Sequence, residues 1–193
     1  MDISKRKTEL RSLARTLRDE VSQDEWRDKS NRIKELFLSS DLFSNAERIH
    51  SYVSMNERKE VDTLGIIEHI LVSEKSLCVP VTDFNDISMR HFEIDSLDDF
   101  KMNEWGIKEP GKEGQERTAD QFDLIIVPLL ASDIGGNRLG YGKGFYDRFL
   151  KKTRAIKVGL VFDNFIFSEI PTDEHDQSLD YLITEKSVIK TKH

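Results

Sequence analysis

The chain has 193 residues, of which 37% are hydrophobic and 34% are charged, and its formal net charge at pH 7 is -7. This length and composition favour a single soluble globular domain that spans residues 1–193. The acidic net charge argues against a general nucleic-acid binder. No apolar run reaches the roughly 18 residues that cross a membrane. Because the N-terminal MDISKRKTELR lacks the apolar segment of a secretory signal and Cys78 has no second cysteine to pair with, we expect a cytoplasmic protein.

The first predicted helix spans about Ser4 to Glu20, and its apolar stripe consists of Leu10, Leu13, Ala14, Leu17 and Val21. Its other faces are rich in cations. Among these, Lys7, Arg11 and Arg15 follow one another at intervals of four residues, which aligns them along one side of the helix. Such a row is either a solvated surface or a site for an anionic ligand.

A second helix is predicted after Ser22, and a short strand over about Arg48 to Ser54. A polar segment follows this strand and leads into another helix. Strand-to-helix turns of this kind lie at the ligand-binding edge of α/β sheets. Glu60 in this turn is therefore either a surface glutamate or a carboxylate that accepts hydrogen bonds from a bound heterocycle.

Three further apolar runs, at residues 77–81, 122–128 and 156–162, have strand length and almost no alternation of polar residues. Strands that are buried on both faces have this pattern, which is typical of parallel sheets. We therefore predict an α/β protein, a three-layer sandwich with a mostly parallel central sheet. Between the runs, Trp105 lies beside a glycine and is either a core residue or a stacking surface for a flat ring.

A glycine-rich loop follows the strand at 122–128 and precedes a predicted helix that starts near Phe145. Its glycines, Gly140, Gly142 and Gly144, fit neither the Walker pattern nor the dinucleotide-binding pattern. A loop in this place can still direct backbone N–H groups and a helix end carrying about half an elementary charge at one anion. Nearby cations suit phosphate oxygens and Asp147 suits magnesium, although an ordinary glycine-rich turn remains the alternative.

The string NRLGYGKGFYDRFL, residues 137–150, resembles the signature of the 5-formyltetrahydrofolate cyclo-ligases, also called 5,10-methenyltetrahydrofolate synthetases. The resemblance implies a fold like that of the NagB/RpiA/CoA transferase-like proteins. It also implies an ATP- and Mg²⁺-dependent conversion of 5-formyltetrahydrofolate to 5,10-methenyltetrahydrofolate. Two differences from the family pattern are Ser132, where an aromatic residue is usual, and Phe145, which replaces a common tyrosine.

The resemblance also implies residue roles. The ATP contacts would be Lys7, Arg11, Arg138, Leu139, Gly140, Tyr141, Gly142, Lys143, Gly144, Phe145 and Tyr146. The folate contacts would be Val53, Glu60, Trp105, Tyr141, Gly142, Lys143, Gly144 and Phe145. Arg138 and Lys143 would act in catalysis, with Lys143 as a charge clamp on the transferred phosphoryl group. Asp147 and Asp176 would bind Mg²⁺.

The partners expected on this basis are ATP and 5-formyltetrahydrofolate, with or without a polyglutamate tail, and neither nucleic acid nor a membrane. We expect a monomer. Two other readings stay open on the residues alone. One is a sugar-phosphate isomerase of related fold, and the other is a non-catalytic nucleotide- or RNA-binding module that uses the basic first helix.

Overall fold

The computed structural model describes residues 2–102, 108–111 and 114–192. Its helices are α1 (Ile3–Glu20), α2 (Gln23–Leu38), α3 (Asp41–Asn45), α4 (Leu64–Leu71) and α5 (Phe145–Leu150). Its strands are β1 (Arg48–Ser51), β2 (Ser76–Asp83), β3 (Ser88–Ile94), β4 (Phe100–Met102), β5 (Lys108–Pro110), β6 (Glu116–Arg117), β7 (Leu124–Val127), β8 (Ala131–Asp133), β9 (Arg138–Leu139), β10 (Ile156–Leu160), β11 (Ile166–Phe167), β12 (Tyr181–Ile183) and β13 (Val188–Lys190).

The central sheet has eight strands in the order β13-β12-β10-β7-β1-β2-β3-β6. Strands β12, β10, β7, β1 and β2 run parallel to one another. At one edge β13 pairs antiparallel with β12, and at the other edge β3 and β6 continue the sheet in antiparallel pairs. All four residues of β7 are buried, as expected for a strand in a sheet that is covered on both faces. The predicted α/β architecture with a mostly parallel sheet is confirmed.

Helix α1 follows the predicted bounds closely, but its buried face differs from the predicted apolar stripe. Ala14 is buried as expected, whereas Leu13 is 48% exposed. Two cationic residues of the helix, Lys7 and Arg18, are buried instead. They tolerate burial because each donates hydrogen bonds to oxygen atoms of other segments, Lys7 to carboxylates and Arg18 to backbone carbonyls.

Strands β1 and β7 are adjacent and parallel, so their carboxyl ends meet at one edge of the sheet. The chain that leaves β1 contains Glu60 in a turn before α4. The chain that leaves β7 passes through the antiparallel pair β8–β9, which forms a small sheet with β11. Arg138 therefore belongs to a short strand rather than to the loop itself, and the glycine-rich loop starts directly after β9. None of the helices in the described ranges is long and apolar enough to cross a membrane.

Candidate active site

A cavity of about 320 Å³ lies where α1, the glycine-rich loop and the segment 173–176 meet. We call it the phosphate cavity. Five cationic and three acidic residues contribute to its wall, so positive charge exceeds negative charge locally in a chain that is acidic overall. Its lining residues are Lys7, Arg11, Arg138, Leu139, Gly140, Gly142, Gly144, Asp147, Arg148, Lys151, Asp173, His175 and Asp176.

The glycine-rich loop needs glycine at two positions on one side of this cavity. Gly142 has a φ of 92° and Gly144 a φ of 69°, a region of backbone conformation that residues with a Cβ rarely adopt. A Cβ at Gly142 would also lie 3.2 Å from Arg11 Cζ, so the loop and α1 pack closely. Helix α5 has only six residues. The lining cations therefore supply most of the positive charge, and the helix end contributes less than its position in the sequence suggested.

Two cations of α1 reach the cavity. Lys7 is 7% exposed, and its Nζ donates to Asp173 Oδ2 at 2.7 Å and to Asp176 Oδ2. Burial lowers the pKa of Lys7, but its hydrogen bonds to the two carboxylates and their charges more than compensate, so the pKa lies above its usual value. Arg11 Nε donates to the carbonyl oxygen of Gly140 at 2.9 Å. A solvated cationic row is therefore the wrong interpretation for Lys7 and Arg11.

Arg138 and Asp147 form an ion pair at the opposite wall. Arg138 Nη2 donates to Asp147 Oδ1 at 2.6 Å, and Arg138 Nη1 donates to the carbonyl oxygen of Pro128 at 3.1 Å. This second bond ties the guanidinium to the end of β7. Asp147 Oδ1 also accepts from the backbone N–H of Gln177 at 3.4 Å. Asp147 is thus held in place by the strand end and by the segment that carries Asp176.

Asp147 and Asp176, the two predicted magnesium ligands, line the same cavity. Within the described ranges, no group of three or more His, Cys, Asp and Glu side chains is placed to enclose a metal ion. A pair of carboxylates nevertheless suits Mg²⁺, which usually binds one or two protein carboxylates and completes its shell with water and substrate phosphates. The donor set therefore fits Mg²⁺ bound together with a polyphosphate.

Glu60 lies on the other side of the loop and is only 3% exposed. Its Oε2 accepts from the backbone N–H of Met55 at 2.7 Å, and its Oε1 accepts from the hydroxyl of Tyr141. Arg18 Nη1 donates to the same hydroxyl at 3.2 Å. Burial, followed by the charge of Glu60, raises the pKa of Tyr141. The interpretation of Glu60 as a surface glutamate is wrong, and the carboxylate is instead linked directly to the glycine-rich loop.

The model of the 5-formyltetrahydrofolate cyclo-ligase family matches residues 3–185, nearly the whole chain. The chain belongs to the 5-formyltetrahydrofolate cyclo-ligase family. It is therefore an enzyme, a cyclo-ligase, and not the isomerase or the non-catalytic module that the residues alone left open.

Similar proteins agree with this membership. The 5-formyltetrahydrofolate cyclo-ligase of Mus musculus is 31% identical over 180 residues, which cover 86% of this chain and 87% of the mouse protein. A probable cyclo-ligase of Caenorhabditis elegans is 29% identical over 196 residues, with 95% and 94% covered. The NMR structure of 5,10-methenyltetrahydrofolate synthetase from Aquifex aeolicus has a TM-score of 0.86 and 32% identity and covers 97% of this chain and 93% of that chain. The synthetase of Mycoplasma pneumoniae, with a TM-score of 0.73 and 20% identity, shares the fold.

The cyclo-ligase structure brings most of the predicted ATP residues to the phosphate cavity, but not all of them. Lys143 is exposed and is absent from the lining residues, whereas Arg148 and Lys151 contribute to the wall. The hydroxyl of Tyr146 is buried and has no hydrogen-bond partner among the described residues. Its burial raises the pKa of the phenol.

The predicted folate residues are likewise brought together only in part. Glu60 and Tyr141 are joined by a hydrogen bond. Val53 is half-buried two residues after the end of β1, and Phe145 packs edge-on against Phe84 with ring centroids 5.5 Å apart. Trp105 lies outside the described residues, so its predicted contact stays a prediction.

Arg18 and Asp173 belong to this site and were missed in the sequence. Arg18 follows Lys7, Arg11 and Ala14 at intervals that place all four on one helical face, and this spacing was the available signal. The spacing does not by itself predict a buried arginine, because the buried face of a helix is normally apolar. Asp173 lies in the acidic run that contains Asp176, and no spacing in the sequence indicates that both would face Lys7.

Proposed function

We propose that this cyclo-ligase converts 5-formyltetrahydrofolate and ATP to 5,10-methenyltetrahydrofolate, ADP and phosphate, with Mg²⁺ bound alongside the nucleotide. The observation that carries the proposal is the phosphate cavity. It combines Lys7 and Arg11 of α1, the glycine-rich loop, Arg138 and two carboxylates suited to Mg²⁺ in one space. Phosphate oxygens need several cations and close backbone approach, and this wall supplies both.

The reaction that the proposal requires is a phosphoryl transfer followed by ring closure. The N5-formyl group is an amide, and its oxygen is a poor leaving group. Transfer of the γ-phosphoryl group from ATP to the formyl oxygen releases ADP and makes phosphate the leaving group. N10 then attacks the formyl carbon, the N10 proton is lost, and phosphate departs with the formyl oxygen. No covalent bond to the protein is needed.

The chain's own residues would align and neutralise the reacting groups. Arg138, fixed by Pro128 and Asp147, would hold a phosphate oxygen beside the loop. Lys7 and Arg11 would neutralise phosphate charge from the α1 side. Asp147 and Asp176 would hold Mg²⁺, which supplies further charge neutralisation on the phosphates when bound. Positioning of two substrates and electrostatic stabilisation account for most catalysis of phosphoryl transfer.

The folate would approach from the Glu60 side of the loop. Glu60 is an acceptor for ring N–H groups, and its link to Tyr141 places it next to the loop that borders the phosphate cavity. A formyl group on a ring held there would lie beside the terminal phosphate at the edge of the loop. The half-buried Val53 and the Phe145 ring would supply the apolar surface that a flat heterocycle requires.

The proposal is tested by following methenyl-product absorbance and ADP release together in the presence of Mg²⁺. We expect one ADP for each methenyl product, and no ADP formation above background when 5-formyltetrahydrofolate is omitted. ADP release that does not depend on the folate would contradict the proposal.

Lys143 is proposed as the charge clamp on the transferred phosphoryl group, although its side chain is exposed. If it turns toward the phosphate when the substrates bind, Lys143→Ala lowers kcat about 100-fold, as loss of a charge-stabilising group typically does. Lys190→Ala, at an exposed lysine on β13, is the matched control. Wild-type turnover by Lys143→Ala would remove Lys143 from the mechanism and shift that role to Arg148 or Lys151.

A further inference from the structure

A second cavity, of about 380 Å³, is lined by Tyr141 of the loop and shares no lining residue with the phosphate cavity. We call it the arginine cavity. Three of its residues are arginines, two are acidic, and the remaining two are Leu130 and Tyr141. The full lining is Arg15, Arg18, Asp19, Glu57, Arg58, Leu130 and Tyr141.

The arginines of this cavity have unused hydrogen-bonding capacity. Arg18 is 4% exposed, and its Nε is buried without a hydrogen-bond partner. Its Nη groups are used structurally, because they donate to the carbonyl oxygens of Leu129 and Leu130 and to the Tyr141 hydroxyl. Arg15 and Arg58 are exposed at the rim. Neither side chain forms a hydrogen bond or an ion pair with any other residue in the described part of the chain.

The charge of the cavity favours an acidic guest. Three guanidinium groups face two carboxylates, Asp19 and Glu57, so the wall is positive in a chain whose net charge is -7. A guanidinium presents paired N–H donors in a plane, and this geometry matches a carboxylate. A ligand with carboxylate groups would fill the unused donors of Arg15 and Arg58. This positive cavity includes Tyr141 of the glycine-rich loop in its wall.

Tyr141 connects the two cavities. Its neighbours Gly140 and Gly142 line the phosphate cavity, and its own side chain lines the arginine cavity. The proposed substrate has a matching form, with the reacting formyl group on a ring at one end and a glutamate with two carboxylates at the other. When the formyl group faces the phosphate cavity, the glutamate end must leave the loop on another side.

We propose that the arginine cavity binds the glutamate carboxylates of the folate substrate, with Arg15 and Arg58 as the residues that determine specificity for this end. The inference rests on the proposed function and deepens it. The glutamate end lies far from the reacting atoms, so contacts there contribute to substrate binding and not to the chemical step. Further γ-linked glutamates would extend past the exposed rim, where Arg15 and Arg58 are accessible.

The test compares two substrates, 5-formyltetrahydrofolate and the N-methylamide of 5-formyltetrahydropteroate, which keeps the ring and N10 but has no glutamate. Wild-type enzyme is expected to have the lower KM for the glutamate-bearing substrate. In Arg15→Gln and Arg58→Gln, this KM should rise about threefold to tenfold, as expected for exposed charge-assisted contacts, and the KM ratio of the two substrates should approach one. Arg32→Gln, which removes an exposed arginine paired with Asp28 on α2, is the control.

The outcomes separate this inference from the proposed function. Unchanged KM values in both variants would overturn the inference, and so would equal increases for the two substrates. Both results would leave the ligase activity intact. Absence of folate-dependent ADP release in the wild type would instead contradict the proposed function, and the inference would fail with it. Because both arginines are exposed, the variants should fold, and circular dichroism checks this.

Discussion

Arg138 Nη2 lies 2.6 Å from Asp147 Oδ1, so the proposed phosphate ligand and the proposed magnesium ligand are hydrogen-bonded to each other. The pair is close to solvent on the Asp147 side and buried on the Arg138 side. Lys7 is paired in the same way with Asp173 and Asp176. Two of the cavity's five cations, Lys7 and Arg138, are thus paired with its three carboxylates. A magnesium-polyphosphate carries both positive and negative charge. When it binds, phosphate oxygens can replace the carboxylates as partners of the cations, and Mg²⁺ can replace the cations as the partner of the carboxylates, so that no buried charge is left unpaired.

Replacement of Asp147 by Asn removes one proposed magnesium ligand and the charged partner of Arg138. We expect kcat to fall about 100-fold and the Mg²⁺ concentration for half-maximal rate to rise, because phosphate charge is then less well neutralised. The measurement is a magnesium titration of the initial rate at saturating ATP. Asp28→Asn, which breaks an exposed ion pair on α2, is the control and should behave as wild type. An unchanged magnesium titration in Asp147→Asn would exclude this residue as a ligand.

Lys7→Met removes the cation that two carboxylates share, and it keeps the length of the side chain. We expect KM for ATP to rise about tenfold or more, since a buried charge-assisted contact to phosphate is lost. The thermal midpoint should fall as well, because Asp173 and Asp176 lose their partner. Lys7→Arg, which keeps the charge, should recover most of the affinity. If Lys7→Met lowers stability but leaves KM for ATP unchanged, Lys7 has a structural role only.

Glu60→Gln keeps an acceptor for the Met55 N–H and removes the negative charge. We expect KM for 5-formyltetrahydrofolate to rise about tenfold while KM for ATP changes little, because Glu60 lies on the folate side of the loop. Steady-state kinetics with each substrate varied in turn measures the difference. Tyr141→Phe is the companion variant, since it removes the hydroxyl that donates to Glu60 but leaves the carboxylate. Equal increases for both substrates would indicate a general distortion of the loop.

The buried pair His50 and His91 makes stability depend on pH. His91 Nδ1 lies 3.1 Å from His50 Nε2, and the His91 ring stacks on Phe149 of α5 with centroids 4.1 Å apart. Burial lowers the pKa of His91 to about 4, and it lowers the pKa of His50 well below its usual value. Both rings are therefore neutral in the fold at neutral and mildly acidic pH, and the unfolded chain binds more protons below about pH 6.5.

It follows that stability rises with pH between about 4 and 6.5 and gains nothing more from these groups above that range. For His91 alone, the free energy of unfolding should be about 1 kcal/mol lower at pH 5.5 than at pH 7.5. Urea unfolding at the two pH values measures this. The glutamine in His91→Gln cannot titrate and still reaches His50. Between pH 7.5 and pH 5.5, the free energy of unfolding of this variant should therefore fall by about 1 kcal/mol less than that of the wild type. An identical loss in wild type and variant would exclude His91 as the source.

The sequence was sufficient for the sheet and for most of the phosphate cavity. Apolar runs without alternation identify β7 and β10, because all four residues of β7 and the last three residues of β10 are buried. Glycine spacing identified the loop, and Gly142 and Gly144 do adopt conformations that favour glycine. Both signals are local, and each depends on one segment of the chain.

The remaining site residues depend on contacts between distant segments, which spacing does not reveal. Arg18 is buried because the carbonyl oxygens that follow β7 accept its hydrogen bonds. Asp173 is set in place by Lys7, which is 166 positions away along the chain. The signature also includes Lys143, but the side chain is exposed in the fold. A motif of this kind identifies the loop, whereas the direction of each side chain depends on packing around it.

In the proposed reaction, the phosphate cavity presents a terminal phosphate to the formyl oxygen, and an oxygen label reports whether this transfer occurs. When 5-formyltetrahydrofolate carrying ¹⁸O in its formyl group is turned over with unlabelled ATP and water, mass spectrometry of the inorganic phosphate reports where that oxygen goes. We expect one ¹⁸O atom in each phosphate formed, since the formyl oxygen leaves with the phosphoryl group. Unlabelled phosphate, with the ¹⁸O released into water, would contradict it.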